Sequence, residues 1–158
     1  MTIRLSVLIA TMTSVLAFTP AKAVTSNVPF TSAVASACVL TVGTPGVMAP
    51  DAGYSTLDSQ EAGGTSSIVT VVSTGATFSV SAEAPTAFSA APSGGNDNLT
   101  FEAKYQASGA TTIGETLGNV VTPLSLGLTT LTLDLKATKS TGVFPQGLYT
   151  TDVVIRCE

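Results

Sequence analysis

Two cysteines lie almost at opposite ends of the folded part of the chain. Cys38 follows closely on an N-terminal leader, and Cys157 is the penultimate residue; there is no third cysteine. In an exported protein, two thiols are expected to form one disulfide, because export leads to an oxidising compartment. Such a bond requires Cα atoms within about 7 Å of each other. The fold must then bring its first and last segments together. Two separate buried thiols are the alternative.

The leader has the form of a secretory signal peptide. Arg4 supplies the positive region, residues 5–18 an apolar region, and Ala21-Lys22-Ala23 a cleavage site with small residues. A membrane helix is the alternative, but it needs about 20 apolar residues, and here Thr and Ser interrupt a shorter run. We therefore expect a signal peptide over residues 1–23 and a single mature domain over residues 24–158. We expect this domain to be secreted, to the periplasm, the cell surface or the medium, without a membrane span.

Residues 27–42 alternate between apolar and small or polar side chains. Val28, Phe30, Val34, Cys38, Leu40 and Val42 fall on one side of the repeat, and Ser32 and Ser36 interrupt that side. Successive side chains of a strand point to opposite faces, so this segment is predicted to be one strand with one face in a core.

Short β-strands separated by Gly- and Pro-rich turns account for the rest of the chain. Thr and Val are abundant, whereas the usual helix-surface residues are scarce. Further strands are predicted at residues 47–49, 66–73, 76–83, 99–106, 130–137 and 148–157, with a short edge strand at 120–121, a tight hairpin at Thr74-Gly75, and loops at 52–64 and 84–98. Seven to eight such strands predict an all-β antiparallel sandwich.

Charge and residue content exclude several classes of function. Without the leader, four basic residues stand against ten acidic ones, a net charge of −6. This is not the footprint of a nucleic-acid-binding protein. The chain has no histidine, the commonest general base and a frequent metal ligand. We therefore predict no catalytic residue, no metal site and no cofactor.

Loop residues supply the weaker candidates for a site. Paired carboxylates hydrolyse glycosides, but the loop acids lack any motif spacing. Residues 94–98 could form a calcium loop, but they lack the alternating Asp series, so a turn is the preferred interpretation. Tyr54 is the one aromatic residue placed to bind a sugar, and Asn98-Leu99-Thr100 matches a glycosylation acceptor. The acids considered are Asp51, Asp58, Glu61 and Asp97.

The two ends of the chain resemble a known group of bacterial proteins. The opening sequence VPFTSAVASACVL is similar to the first strand of chaperone–usher pilins and of spore coat U-type secreted domains, with Val28, Phe30, Val34 and Cys38 at the matching positions. The closing sequence FPQGLYTTDVVI, with Gly147 and Tyr149, looks like their last strand. The resemblance implies an immunoglobulin-like sandwich that builds extracellular fibres or coats, with a periplasmic chaperone as a partner and no active site.

The chain departs from the pilin pattern at both ends. Pilins carry a long N-terminal extension that donates a strand to the next subunit, whereas only four residues precede Val28 after cleavage. Their second cysteine usually comes early, and here it is Cys157. A bridge between the first and last strands leaves little space for a donated strand. This favours a self-complete domain, which acts as a self-associating structural protein. The alternative function is a secreted binding module for carbohydrate or another surface ligand that uses the loops at 52–64 and 84–98.

Overall fold

The longest strand of the protein, Gly127–Lys139, lies at the centre of a β-sandwich. The structure is a computed structural model that describes residues 22–158. Residues 33–158 form one compact unit, and residues 22–32 fall outside it. The predicted signal peptide lies, apart from its last two residues, outside the described part of the chain.

Ten strands lie within residues 22–158. They are β1 (Cys38–Val42), β2 (Ala49–Pro50), β3 (Thr56–Asp58), β4 (Ser67–Ser73), β5 (Ser79–Glu83), β6 (Leu99–Gly109), β7 (Ile113–Leu117), β8 (Thr122–Pro123), β9 (Gly127–Lys139) and β10 (Val154–Cys157).

The strands form two antiparallel sheets. In the larger sheet, β9 pairs along one side with β4 and then β3, and along the other side with β6. β1 is added outside β4, β2 outside β3, and β7 outside β6. The smaller sheet has the order β10-β5-β8. β1 and β10 are therefore end strands, one in each sheet.

The core between the sheets comes from alternate residues of the strands. Val71, Tyr105 and Leu131 of the larger sheet pack with Val80 and Ala82 of the smaller one, all nearly fully buried. These valine, leucine, tyrosine and alanine side chains follow a two-residue phase along their strands, which suits a pleated surface buried on one face.

A second cluster fills one end of the sandwich. Phe88, the one large apolar residue of the 84–98 loop, makes edge-to-face contacts with Phe101 and Tyr149, each with ring centroids 4.9 Å apart. Lys139 is buried beside this cluster, where its Nζ donates hydrogen bonds to the carbonyl oxygens of Gly94 and Asp97, both at 2.7 Å. The ammonium group thereby fixes the loop to the end of β9.

The prediction of an all-β antiparallel sandwich with one disulfide is confirmed. Seven strands have four residues or more, and three are shorter. Several boundaries were wrong. The predicted loop at 52–64 contains β3, and the predicted edge strand at 120–121 is replaced by β7 and β8 on either side. The last strand begins only at Val154, because the preceding residues make one isolated bridge, between Thr150 and Ala90.

The predicted hairpin at Thr74-Gly75 is also wrong. β4 pairs with β1 and β9, whereas β5 pairs with β8 and β10, so the chain crosses between sheets at this turn. The Thr74 N–H donates to the carbonyl oxygen of Ala37, and the Ser73 hydroxyl to that of Gly75. These bonds tie the turn to the residues before β1, so it does not close a ladder with β5.

The predicted strand over residues 27–42 is correct only for its last five residues. β1 begins at Cys38, and residues 22–37 form no strand. Val28, Phe30 and Val34, which were expected to face the core, are between 70% and 93% exposed. The sequence alternates as described, but these three side chains are exposed and do not pack in the core.

Candidate functional site

Of the four loop acids, Asp51 and Asp58 use their carboxylates as hydrogen-bond acceptors within the fold, whereas Glu61 and Asp97 accept through their backbone oxygens. Asp51 Oδ1 accepts from the N–H groups of Ser55 (2.8 Å) and Thr56 (3.0 Å), which lowers the pKa of Asp51. Asp58 lies 3.5 Å from Lys136 Nζ and also accepts from the Gln60 N–H. Within residues 22–158, no group of three or more His, Cys, Asp or Glu side chains is placed to hold a metal ion.

On the outer face of the larger sheet, a cluster of polar side chains is held together by hydrogen bonds among its own members. Glu115 accepts hydrogen bonds from Gln60 and Lys104, which lower the pKa of Glu115. The bond to Glu115 in turn raises the pKa of Lys104. Asp134 is buried and accepts from the hydroxyl groups of Ser59 and Ser66 at 2.8 and 2.6 Å. The small cavity among these residues measures about 80 Å³.

The segment considered as a calcium loop, residues 94–98, is a turn that binds a side-chain cation. The two backbone oxygens that point inward, those of Gly94 and Asp97, already accept from Lys139. Tyr54 has a positive φ of 55° and a side chain that is 59% exposed, and it lies at the rim of an apolar groove.

That groove opens between the two end strands, β1 and β10. Leu40 and Val42 have the same phase as Cys38 and point between the sheets, yet Val42 is 70% exposed. The reason is that β1 has a neighbour on one side only, and so does β10. Between them, no other strand of residues 22–158 covers the gap.

The groove has a volume of about 840 Å³ and a mainly apolar lining. One wall comes from the larger sheet and the other from residues 147–155, which lead into β10 and form its first part. Phe144, Tyr149 and Leu57 connect the groove to the second core cluster. The apolar residues that line it include Val42, Val69, Leu133, Leu148, Val153 and Ile155.

Both walls carry a free strand edge. The backbone groups of an unpaired edge are available to another strand, and this is the usual basis of strand addition. A bridge between the first and last strands was expected to leave little space for a donated strand; in the structure, an apolar groove of about 840 Å³ lies between β1 and β10. Cys38 and Cys157 close only one end, where their Cα atoms are 6.3 Å apart, and the groove lies beyond them.

A free apolar segment exists in the same chain. We call residues 24–34 the arm; every residue in it is exposed. The arm has no charged residue, and Val28, Phe30 and Val34 share one phase of the two-residue repeat. Fully extended, its eleven residues would span about 37 Å.

The sequence-predicted disulfide is present: Cys38 and Cys157 are bonded, and they join the start of β1 to the end of β10. Sequence reasoning missed the groove and the arm. A usable signal was the length of the alternating segment, sixteen residues, against the seven residues of β4, its only partner.

Comparisons with known proteins gave no match: no protein-family model, curated protein or solved structure is similar to this chain at a significant level. In residues 22–158 there is no helix of the length and apolarity that crossing a bilayer requires.

Proposed function

We propose that this protein is a secreted structural subunit, without enzymatic activity, that assembles with copies of itself at the bacterial surface or in the extracellular matrix. The arm of one copy enters the groove of the next copy as an added strand. The observation that carries the proposal is the match between an exposed apolar groove with two free strand edges and an exposed arm of alternating apolar residues.

Burial of the arm contributes free energy to association. Covering one Val or Phe side chain is worth about 1.5–3 kcal/mol, and three such side chains lie on one face of the arm. Backbone hydrogen bonds to β1 and β10 add to this, and the cost of immobilising two molecules is subtracted. The export signal and the disulfide fit an oxidising compartment, which suits a protein that works outside the cytoplasm.

The partner is a second copy because both halves of the contact are in one chain. When the arm of one copy fills the groove of the next, the two copies make a head-to-tail contact, which generates open chains unless the rotation happens to close a ring. The mature protein is thus expected to form linear polymers whose length increases with concentration.

Variants of the arm and of the groove test this proposal in pairs. Phe30→Asp places a charge on the inserted face and should weaken self-association about 100-fold, since about 2.7 kcal/mol of burial is lost. Thr31→Asp adds the same charge to the opposite face of the arm and is the matched control. Val42→Asp changes the groove at a side chain that is already 70% exposed, so the fold should persist.

Sedimentation velocity and electron microscopy of residues 24–158 give the readout. The unsubstituted protein and Thr31→Asp should polymerise, whereas Phe30→Asp alone and Val42→Asp alone should stay monomeric. Mixed together, these two variants should form a 1:1 dimer, because one keeps an intact groove and the other an intact arm. An unsubstituted protein that is monomeric at about 100 μM, or single variants that polymerise normally, would contradict the proposal.

A further inference from the structure

The disulfide lies where the arm and both walls of the groove meet. Cys38 is the first residue of β1, and Cys157 is the last residue of β10. Three residues, 35–37, connect the arm to Cys38, and Thr74 holds them in place: its hydroxyl donates to the carbonyl oxygen of Ala35 at 2.8 Å and accepts from the Ala37 N–H at 2.7 Å. One covalent bond therefore joins the root of the arm to β10.

No ladder connects the two walls. As far as residues 22–158 show, β1 pairs only with β4, and β10 only with β5. Along the backbone, the path from Cys38 to Cys157 passes through all the other strands, a separation of 119 residues. Through the disulfide, the same two points are one bond apart.

We propose that the Cys38–Cys157 disulfide carries tension through a fibre of this protein, so that pulling on the fibre leaves the sandwich folded. The inference rests on the proposed function. In such a fibre, force enters a copy through the strand held between β1 and β10, and it leaves through that copy's own arm. β1 continues directly into the arm, and β10 is connected to the arm by the disulfide. The strands from β2 to β9 lie outside this path.

When the disulfide is reduced, the strands from β2 to β9 become part of the path along which force travels from β10 to the arm. The four residues of β10 are held by their ladder with β5 and by two hydrogen bonds between Glu158 and Ser79. Force on β10 could then reach the arm only along the intervening chain, so the strands between would be pulled out. At about 3.4 Å per residue, the 119 residues would add about 400 Å to the contour length of each copy that unfolds.

Single-fibre stretching measures this length. Fibres are assembled from oxidised protein and pulled before and after treatment with dithiothreitol, which transfers two electrons and two protons to the disulfide, giving two thiols, and is itself oxidised to its cyclic disulfide. Oxidised fibres should break between copies without steps of about 400 Å, and reduced fibres should show such steps. Cys38→Ser/Cys157→Ser fibres should show them without reductant.

A destabilised variant that keeps the disulfide is the control. Leu131→Ala truncates a side chain that is 1% exposed and should cost about 2–5 kcal/mol, comparable to loss of the bond, yet its oxidised fibres should show no such steps. Steps of this length in oxidised unsubstituted fibres, or their absence from intact reduced fibres, would overturn the inference. Failure of the oxidised protein to form fibres would instead refute the proposed function, and the inference with it.

Discussion

Tyr105 connects the two sheets through its hydroxyl group. The residue lies on β6 of the larger sheet and is 1% exposed. Its Oη lies 2.8 Å from the carbonyl oxygen of Val120 and 2.7 Å from the hydroxyl of Thr122, on β8 of the smaller sheet. Tyr105→Phe would remove these bonds from partners that are only partly buried, and with them a 3.3 Å contact to the buried carbonyl oxygen of Val80, so we expect a loss of about 1 kcal/mol in the free energy of unfolding, measured by urea denaturation.

Tyr54→Phe is the control for this change. The Tyr54 side chain is 59% exposed, and removal of its hydroxyl should alter the free energy of unfolding by no more than about 0.5 kcal/mol. Equal effects of the two substitutions would mean that the Tyr105 hydroxyl does not join the sheets. The sequence predicted a strand over residues 99–106, but not the partners of Tyr105, because those residues come from the other sheet and no local sequence pattern indicates them.

At the scale of single elements, the turn before β3 depends on one carboxylate. Asp51 accepts from the N–H groups of Ser55 and Thr56, and this arrangement lets Tyr54 take its positive φ. Backbone hydrogen bonding by Thr56 is the main cause of the lowered pKa of Asp51. A carboxyl group whose pKa is lower in the folded state stabilises the fold above its unfolded pKa of 3.8, and the contribution is lost as the pH falls through the folded pKa.

Asp51→Asn should therefore destabilise the protein at neutral pH, and its effect should shrink at acid pH, as the carboxyl group of the unsubstituted protein becomes protonated. Urea denaturation at neutral and at acid pH measures this difference. Asp97→Asn is a suitable control, because the fold uses the backbone oxygen of Asp97. A difference between Asp51→Asn and the unsubstituted protein that is independent of pH would show that the charge of Asp51 has no part in the turn.

The alternation of apolar and polar residues predicted the positions of the strands better than it predicted which strands pair with each other. Residues 66–73, 99–106 and 130–137 were predicted as strands and fall within β4, β6 and β9, with at most one residue outside at one end. The hairpin at Thr74-Gly75 failed because a two-residue turn between two alternating segments does not distinguish a ladder from a crossing between sheets. The bonds that decide the matter involve Ala37, far away in the sequence.

At the scale of the whole molecule, an alternating sequence predicts that a segment has an apolar face, but it does not predict whether that face packs in the same chain or against another molecule. Val28 and Phe30 carry the same signal as Leu40, yet the former lie in the exposed arm and the latter belongs to β1. The disulfide could be predicted, because a predicted export signal and a count of two cysteines suffice. The groove could not, since it arises from the absence of a neighbour beside β1 and β10, which only the complete strand order reveals.

The disulfide should also dominate the stability of the isolated molecule. It closes a loop of 119 residues, and such a bond is worth about 4–5 kcal/mol in the loop-entropy model. Cys38→Ser and Cys157→Ser should each lose this amount, and the double variant little more, because either change removes the same bond. Assembly would mask the effect, since binding of a neighbour stabilises the folded state.

The measurement is therefore thermal and urea unfolding in the Phe30→Asp background, which is expected to stay monomeric. Losses that add in the double variant would mean that each cysteine acts through its own packing rather than through the bond, and the connection between arm and groove would then lose its covalent basis.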